Sequence, residues 1–307
     1  MQQVPASVRQ WLIVVAGMIF FMIVIGALTR LTESGLSMVE WRPVTGWLPP
    51  LSDAAWQAEL QKYLASPQGR IVNRDFTVPE FREIFWLEYI HRLWGRLIGL
   101  VFALPLAWFW WRGALSPYLK PRLFALLVLG GLQGALGWAM VASGLVDRPS
   151  VSHYRLAAHL MLAVVLYAYT VWLILGLLPS GVRRDDPKTA RKSTALIGFL
   201  LVVMIWGAFM AGLRAGTAHS TFPTMSGYWI PPGLFDLSPW WVNFFENGTT
   251  IQFVHRWLAK LLFLGVLVLA WRAPRSETLA AAAIAFLQLS LGIATILSGV
   301  SIPIATL

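Results

Sequence analysis

Seven apolar runs, at residues 11–30, 87–111, 122–143, 154–178, 194–213, 250–271 and 278–299, alternate with polar stretches of unequal length. Each is close to the ~20 residues a helix needs to cross ~30 Å of hydrocarbon. None shows the period-2 alternation of a barrel strand, and hydrocarbon admits only helices or closed barrels, so the pattern predicts an all-α, polytopic membrane protein. The first run is long and lacks a small-residue cleavage site; it reads as a retained helix rather than a signal peptide.

Composition agrees: 57% of 307 residues are hydrophobic and 12% are charged. The net charge of +10 does not require nucleic acid. Arg9, then Arg112, Lys120 and Arg122, then Arg183, Arg184, Lys188, Arg191 and Lys192, then Arg272 and Arg275 fall on one side if the helices alternate direction. By the positive-inside rule that side is cytoplasmic, with the N-terminus inside. The opposite loops, 31–86, 144–153 and 214–249, are expected to form a structured outer cap rich in Trp, Pro and Gly. Cysteine is absent, which excludes disulfides, thiolate-ligated heme, iron–sulfur ligation and c-type heme attachment.

An internal repeat runs through the chain. Gly26-Ala27 corresponds to Gly207-Ala208, Gly35 to Gly216, and Trp47-Leu48-Pro49-Pro50 to Trp229-Ile230-Pro231-Pro232, at an offset of 181 or 182 residues. Glu88-Tyr89-Ile90-His91-Arg92 returns as Gln252-Phe253-Val254-His255-Arg256, and Leu132-Gln133-Gly134 with Ser143-Gly144 as Leu287-Gln288-Leu289 with Ser298-Gly299. This predicts two pseudo-symmetric four-helix repeats, 1–180 and 181–307, the second lacking its last helix. A repeat of even helix number enters the membrane from one side, so a pseudo-two-fold along the membrane normal is expected.

Ionisable residues are costly within a bilayer and usually line an interior site. His91 and His159 are each expected about a turn inside the outer end of their helices, at one depth, and His255 takes the same place in the second half. Such a pair suits bis-histidine heme ligation inside a bundle; the alternative is an imidazole bonded to a neighbouring backbone or side chain. Glu88, three residues before His91, shares its helical face and can accept a proton, bind a substrate oxygen or orient the histidine. The second repeat has Gln252 in this neighbourhood and no acid. Arg92 and Arg256 either snorkel to the interface or pair with heme propionates. His153 and His219 lie in expected outer loops and read as structural or solvated.

Four segments, Gly26-Ala-Leu-Thr-Arg-Leu-Thr-Glu-Ser-Gly-Leu-Ser37, Glu88-Tyr-Ile-His-Arg92, His153-Tyr-Arg-Leu-Ala-Ala-His-Leu160 and Phe253-Val-His-Arg256, resemble the heme A synthase family over nearly the whole chain. The resemblance implies eight helices in two halves, four heme-ligating histidines and a glutamate important for oxidation, matched here by His91, His159, His255 and Glu88. A fourth histidine is expected in an eighth helix following Leu307. Absence of a cysteine pair in an outer loop makes the chain similar to the proteobacterial and mitochondrial branch. The family activity is oxidation of a methyl group of heme O to the formyl group of heme A by two hydroxylations and loss of water, for cytochrome oxidase. Implied with it are substrate heme O between His91 and His159, heme b on His255, a bacterial cytoplasmic membrane, a heme O synthase and an electron donor as partners, and homo-oligomerisation. The competing readings are a diheme b-type membrane electron-transfer protein, which leaves Glu88 unexplained, and a heme or small-molecule transporter, for which no broken helix or acidic pathway speaks.

Overall fold

The computed structural model describes residues 5–146, 148–178 and 186–306, so Arg183 and Arg184 lie outside the described residues. Among these residues there are eleven α-helices and no strand. They are α1 (Ala6–Leu31), α2 (Asp53–Leu64), α3 (Pro67–Ile71), α4 (Val78–Trp111), α5 (Leu119–Gly144), α6 (His153–Gly176), α7 (Pro187–Gly212), α8 (Asn243–Glu246), α9 (Gly248–Arg272), α10 (Ser276–Leu297) and α11 (Ile302–Ala305). Seven of them, α1, α4, α5, α6, α7, α9 and α10, are long and apolar enough to cross a membrane. The chain separates into two compact units, residues 1–180 and 181–307.

In the first unit, α1 packs on α4 and α6, and α5 packs on the same two helices, closing a four-helix ring. One end is filled by Val8, Trp11, Leu12 and Val15 of α1, Phe102 and Leu106 of α4, Leu119, Leu123 and Leu126 of α5, and Leu166 and Leu173 of α6. Pro105 lies inside α4 and has no N–H to give to the carbonyl of Val101. The Trp11 indole donates to that carbonyl instead, at 2.8 Å, joining α1 to α4 at the point where proline breaks the ladder.

The second end is capped by the loop between α1 and α4. Its short helices start on Ser52 and Ser66, whose hydroxyls accept from the amides of Ala55 and Gly69. Trp56, Leu60 and Tyr63 pack on Phe81, Phe85 and Tyr89, forming an aromatic core beside α4. The cap lengthens α4 beyond its apolar run. The Thr77 amide donates to the Glu80 carboxylate at 3.0 Å, a capping-box contact that starts the helix nine residues ahead of the hydrophobic span. His91 therefore stands more than three turns into α4, not one.

In the second unit α9 packs on both α7 and α10, as α4 does on α1 and α5. Asp186 caps α7, accepting from Lys188 and Thr189, and Asn247 caps α9, accepting from Thr249 and Thr250.

Candidate functional site

Between its two packed ends the first unit has a belt without buried side chains. No residue is buried in α1 from 20 to 28, in α4 from 90 to 101, in α5 from 127 to 143 or in α6 from 158 to 165. Side chains in this belt are half-buried or exposed. His91, His159, Gly26, Gln133 and Gly137 all fall within it.

Each of the three histidines faces a glycine on a neighbouring helix. A Cβ at Gly26 would lie 3.5 Å from Nε2 of His91. At Gly137 it would lie 3.0 Å from Cε1 of His159, and at Gly207 3.0 Å from Cε1 of His255. The repeated glycine thus stands against the repeated histidine: Gly26 and Gly207 are the matched Gly-Ala positions. Within the first unit the two imidazoles come within electrostatic reach of each other.

His255 turns Nδ1 to the carbonyl of Val203 at 3.1 Å. Only a protonated Nδ1 can make that bond, which leaves the Nε2 lone pair for another partner; this is how metal-ligating histidines are commonly oriented. In His159, Nδ1 is buried without a hydrogen-bond partner among the described residues. These features fit imidazole ligation of an iron porphyrin: His159 and His255 sit where only a glycine leaves room for the ring, and His255 is held in the tautomer that frees Nε2. No cluster of three or more His, Asp or Glu that could hold a bare metal ion occurs among the described residues.

Glu88 is buried, at 2% exposure, and its oxygens accept four hydrogen bonds. Oε2 receives the Ser37 hydroxyl at 2.7 Å and the Met38 amide at 2.8 Å. Oε1 receives Nε of Arg92 at 3.0 Å and its terminal nitrogen at 2.5 Å. Arg92 also donates to the carbonyls of Met38 and Glu40. Hydroxyl residues of the 26–37 segment end α1 and carry the chain to this contact: Thr32 donates to the Leu28 carbonyl and Ser34 to that of Thr29.

Gln252 stands three residues before His255, the register Glu88 holds before His91. It too is fully buried, and its amide donates to the carbonyls of Gly216 and His219. Arg256 donates to the carbonyls of Thr221, Thr224 and His219. The Oε1 of Gln252 and the Nε of Arg256 are buried without partners, and no carboxylate lies within ion-pair distance of Arg256 among the described residues. The two halves thus share a scaffold in which an arginine gathers loop carbonyls, but only the first neutralises it.

His153 is the first residue of α6 rather than a loop residue, and it is buried, with its ring 4.0 Å from that of Tyr154. His219 is tied to the hydroxyls of Ser226 and Thr249, and burial, with Arg256 nearby, keeps its pKa below the ordinary histidine value. Sequence reasoning missed Ser37, Gln133 and Val203. Gln133 had a visible signal, a polar residue inside an apolar run; Val203 acts through its backbone and had none.

A match to the cytochrome oxidase assembly protein family extends over residues 9–307. A heme A synthase of Rhodospirillum centenum is 49% identical over 315 residues, covering 98% of this chain and 83% of that protein. Heme A synthases of Parvibaculum lavamentivorans and Agrobacterium fabrum are 46% and 45% identical, over 97% of this chain and 88% and 84% of theirs. With a match across both units, including the segments that carry His91, His159 and His255, the chain belongs to the cytochrome oxidase assembly protein family.

Proposed function

We propose that this protein is a heme A synthase, a membrane oxidoreductase that converts the methyl group of heme O to the formyl group of heme A. The observation that carries the reading is that each repeated histidine stands against a repeated glycine, in a chain 49% identical to a heme A synthase of Rhodospirillum centenum. Heme O, the substrate, is held between His91 and His159 in the first unit. His255 binds a resident b-type heme in the second unit, where that group supplies electron transfer. Residues 1–180 form the substrate half and 181–307 the heme b half.

Glu88 holds the 37–40 loop and Arg92 beside His91. It can take up a proton during oxidation only by giving up one of its four donors, and the Ser37 hydroxyl is the one that can rotate away, since the Ile84 carbonyl lies 3.3 Å from it. Oxidation proceeds by two hydroxylations, and the hydrated product then loses water to give the aldehyde. Arg256, lacking a carboxylate of its own, is better placed than Arg92 to pair with a propionate. The protein sits in the bacterial cytoplasmic membrane with its N-terminus inside, and draws on a heme O synthase and an electron donor.

Co-expression with a source of heme O, followed by pigment extraction, tests the reading. Heme A is the expected product. A b-type spectrum with no heme A, while heme O accumulates, would favour a diheme electron-transfer protein instead.

A further inference from the structure

On the reading above, an iron held by both His91 and His159 would have no open position, and oxygen chemistry at that iron itself would require one of the two imidazoles to leave. The neighbours of His91 and His159 differ in a way that selects one of them. Gln133, on α5, places its side-chain nitrogen 3.0 Å from the backbone carbonyl of His159 and 3.4 Å from Nε2 of the same residue. The first contact fixes the orientation of the amide, because the reverse rotamer would set Oε1 against a carbonyl oxygen. The group facing Nε2 is therefore a donor, and only an unprotonated Nε2 can accept from it. The imidazole proton accordingly resides on Nδ1, and Nε2 keeps the lone pair that iron takes.

Gln133 thus supplies a hydrogen bond to the ligating atom itself. At 3.4 Å the contact is long. The ring rests against Gly137, one turn further along α5, where a Cβ would lie 3.0 Å from its Cε1. His91 has no equivalent: Gly26 gives its Nε2 clearance, but no hydrogen bond to its ring exists among the described residues. Off the iron, the Nε2 lone pair of His159 would accept from the Gln133 amide. The ring of His91 has no comparable side-chain donor among the described residues to take over from the iron. The same Gln-x-x-x-Gly spacing recurs at Gln288 and Gly292 of α10.

We infer that Gln133 is a positioning residue that makes His159 the exchangeable ligand of the substrate heme, holding its Nε2 off the iron and in the tautomer that can return to it. The inference rests on His91 and His159 being the substrate ligands, and the experiment separates the two. The probe is carbon monoxide binding to the reduced protein loaded with heme O, read by flash photolysis and absorbance. Gln133→Leu removes the donor at similar volume; Gln133→Met does so with a more adaptable chain, should the first fail to fold. Both are expected to keep the low-spin spectrum and heme content of the first unit. Their carbon monoxide association should be slower by about five- to tenfold, the worth of one hydrogen bond, with kcat lowered and KM little changed. An unchanged or faster association in a folded variant would overturn the inference. His159→Ala, measured alongside, should leave the substrate heme high-spin and quick to bind carbon monoxide. If its spectrum stayed low-spin the ligand assignment would fail, and the role of Gln133 with it.

Discussion

Glu88 and Arg92, one helical turn apart on α4, form an ion pair at 2.5 Å with side-chain exposures of 2% and 7%. Breaking a buried pair by removing one partner typically costs about 3–5 kcal/mol, because the survivor is left uncompensated. Here the cost of losing the charge alone is softened. Arg92 keeps the carbonyls of Met38 and Glu40, and the second unit already supports Arg256 on carbonyls beside a glutamine. Glu88→Gln is therefore expected to fold and to bind heme while oxidation stalls at heme O or its hydroxylated product. Pigment ratios by chromatography check this; a wild-type share of heme A would remove Glu88 from the reaction.

Gln252→Glu is the converse change. It places a carboxylate one turn from Arg256, whose Nε is buried without a partner, and re-creates the first unit's pair. Added negative charge stabilises ferric heme, so the reduction potential of the second-unit heme should fall. A redox titration that showed no change, or a rise, would mean that Arg256 does not act on that heme.

The glycines beside His159 and His255 should not accept a side chain without displacing the ring. Gly207→Ala puts a methyl 3.0 Å from the ring of His255, and Gly137→Ala does the same to His159. Overpacking of this kind costs about 1–3 kcal/mol, paid here as displacement of the ring. Each variant should lose heme from its own unit, measured as heme per protein. Gly134→Ala, with nothing within 4 Å of the added methyl, is the control and should retain its heme.

Substitution of His91 or His159 by alanine should abolish heme A formation while the b-type spectrum of the second unit persists. His255→Ala should remove that spectrum instead. Optical spectra of the purified variants decide it, and heme A made at the wild-type rate by His91→Ala would move the substrate site out of the first unit.

The loop between α1 and α4 carries a charge network open to water. The ammonium of Lys62 is hydrogen-bonded to Glu40 and holds the Glu40 carboxyl below its ordinary 4.5. A lowered folded-state pKa contributes stability that is present above the unfolded value and disappears as pH falls through the folded one. Lys62, bonded to Glu59 and Glu40, is raised above 10.5, so its contribution holds below that value and fades as pH rises through the folded one. The network should therefore persist between those limits. Glu40→Gln should flatten the loss of melting temperature below pH 4.5 by a small amount, since exposed pairs contribute about 0–1 kcal/mol. An equal or steeper acid loss in the variant would show that this pair does not contribute.

Sequence alone determined the spanning helices and the histidines worth watching. Bilayer thickness dictates run length, and an imidazole in an apolar run is conspicuous whatever it touches. It also marked Gly26 and Gly207 as a matched pair, though not what they face. Tertiary structure decided the rest, because each remaining feature joins residues far apart in the chain. Ser37 meets Glu88 only when the loop folds back on α4; Gly137 clears His159 only when α5 packs on α6; and the Val203 carbonyl orients His255 through backbone alone. The length of α4 was hidden for a related reason. Hydropathy sees the apolar run, whereas Thr77, Glu80 and the aromatic cap carry the helix past it, placing His91 more than three turns from the helix start.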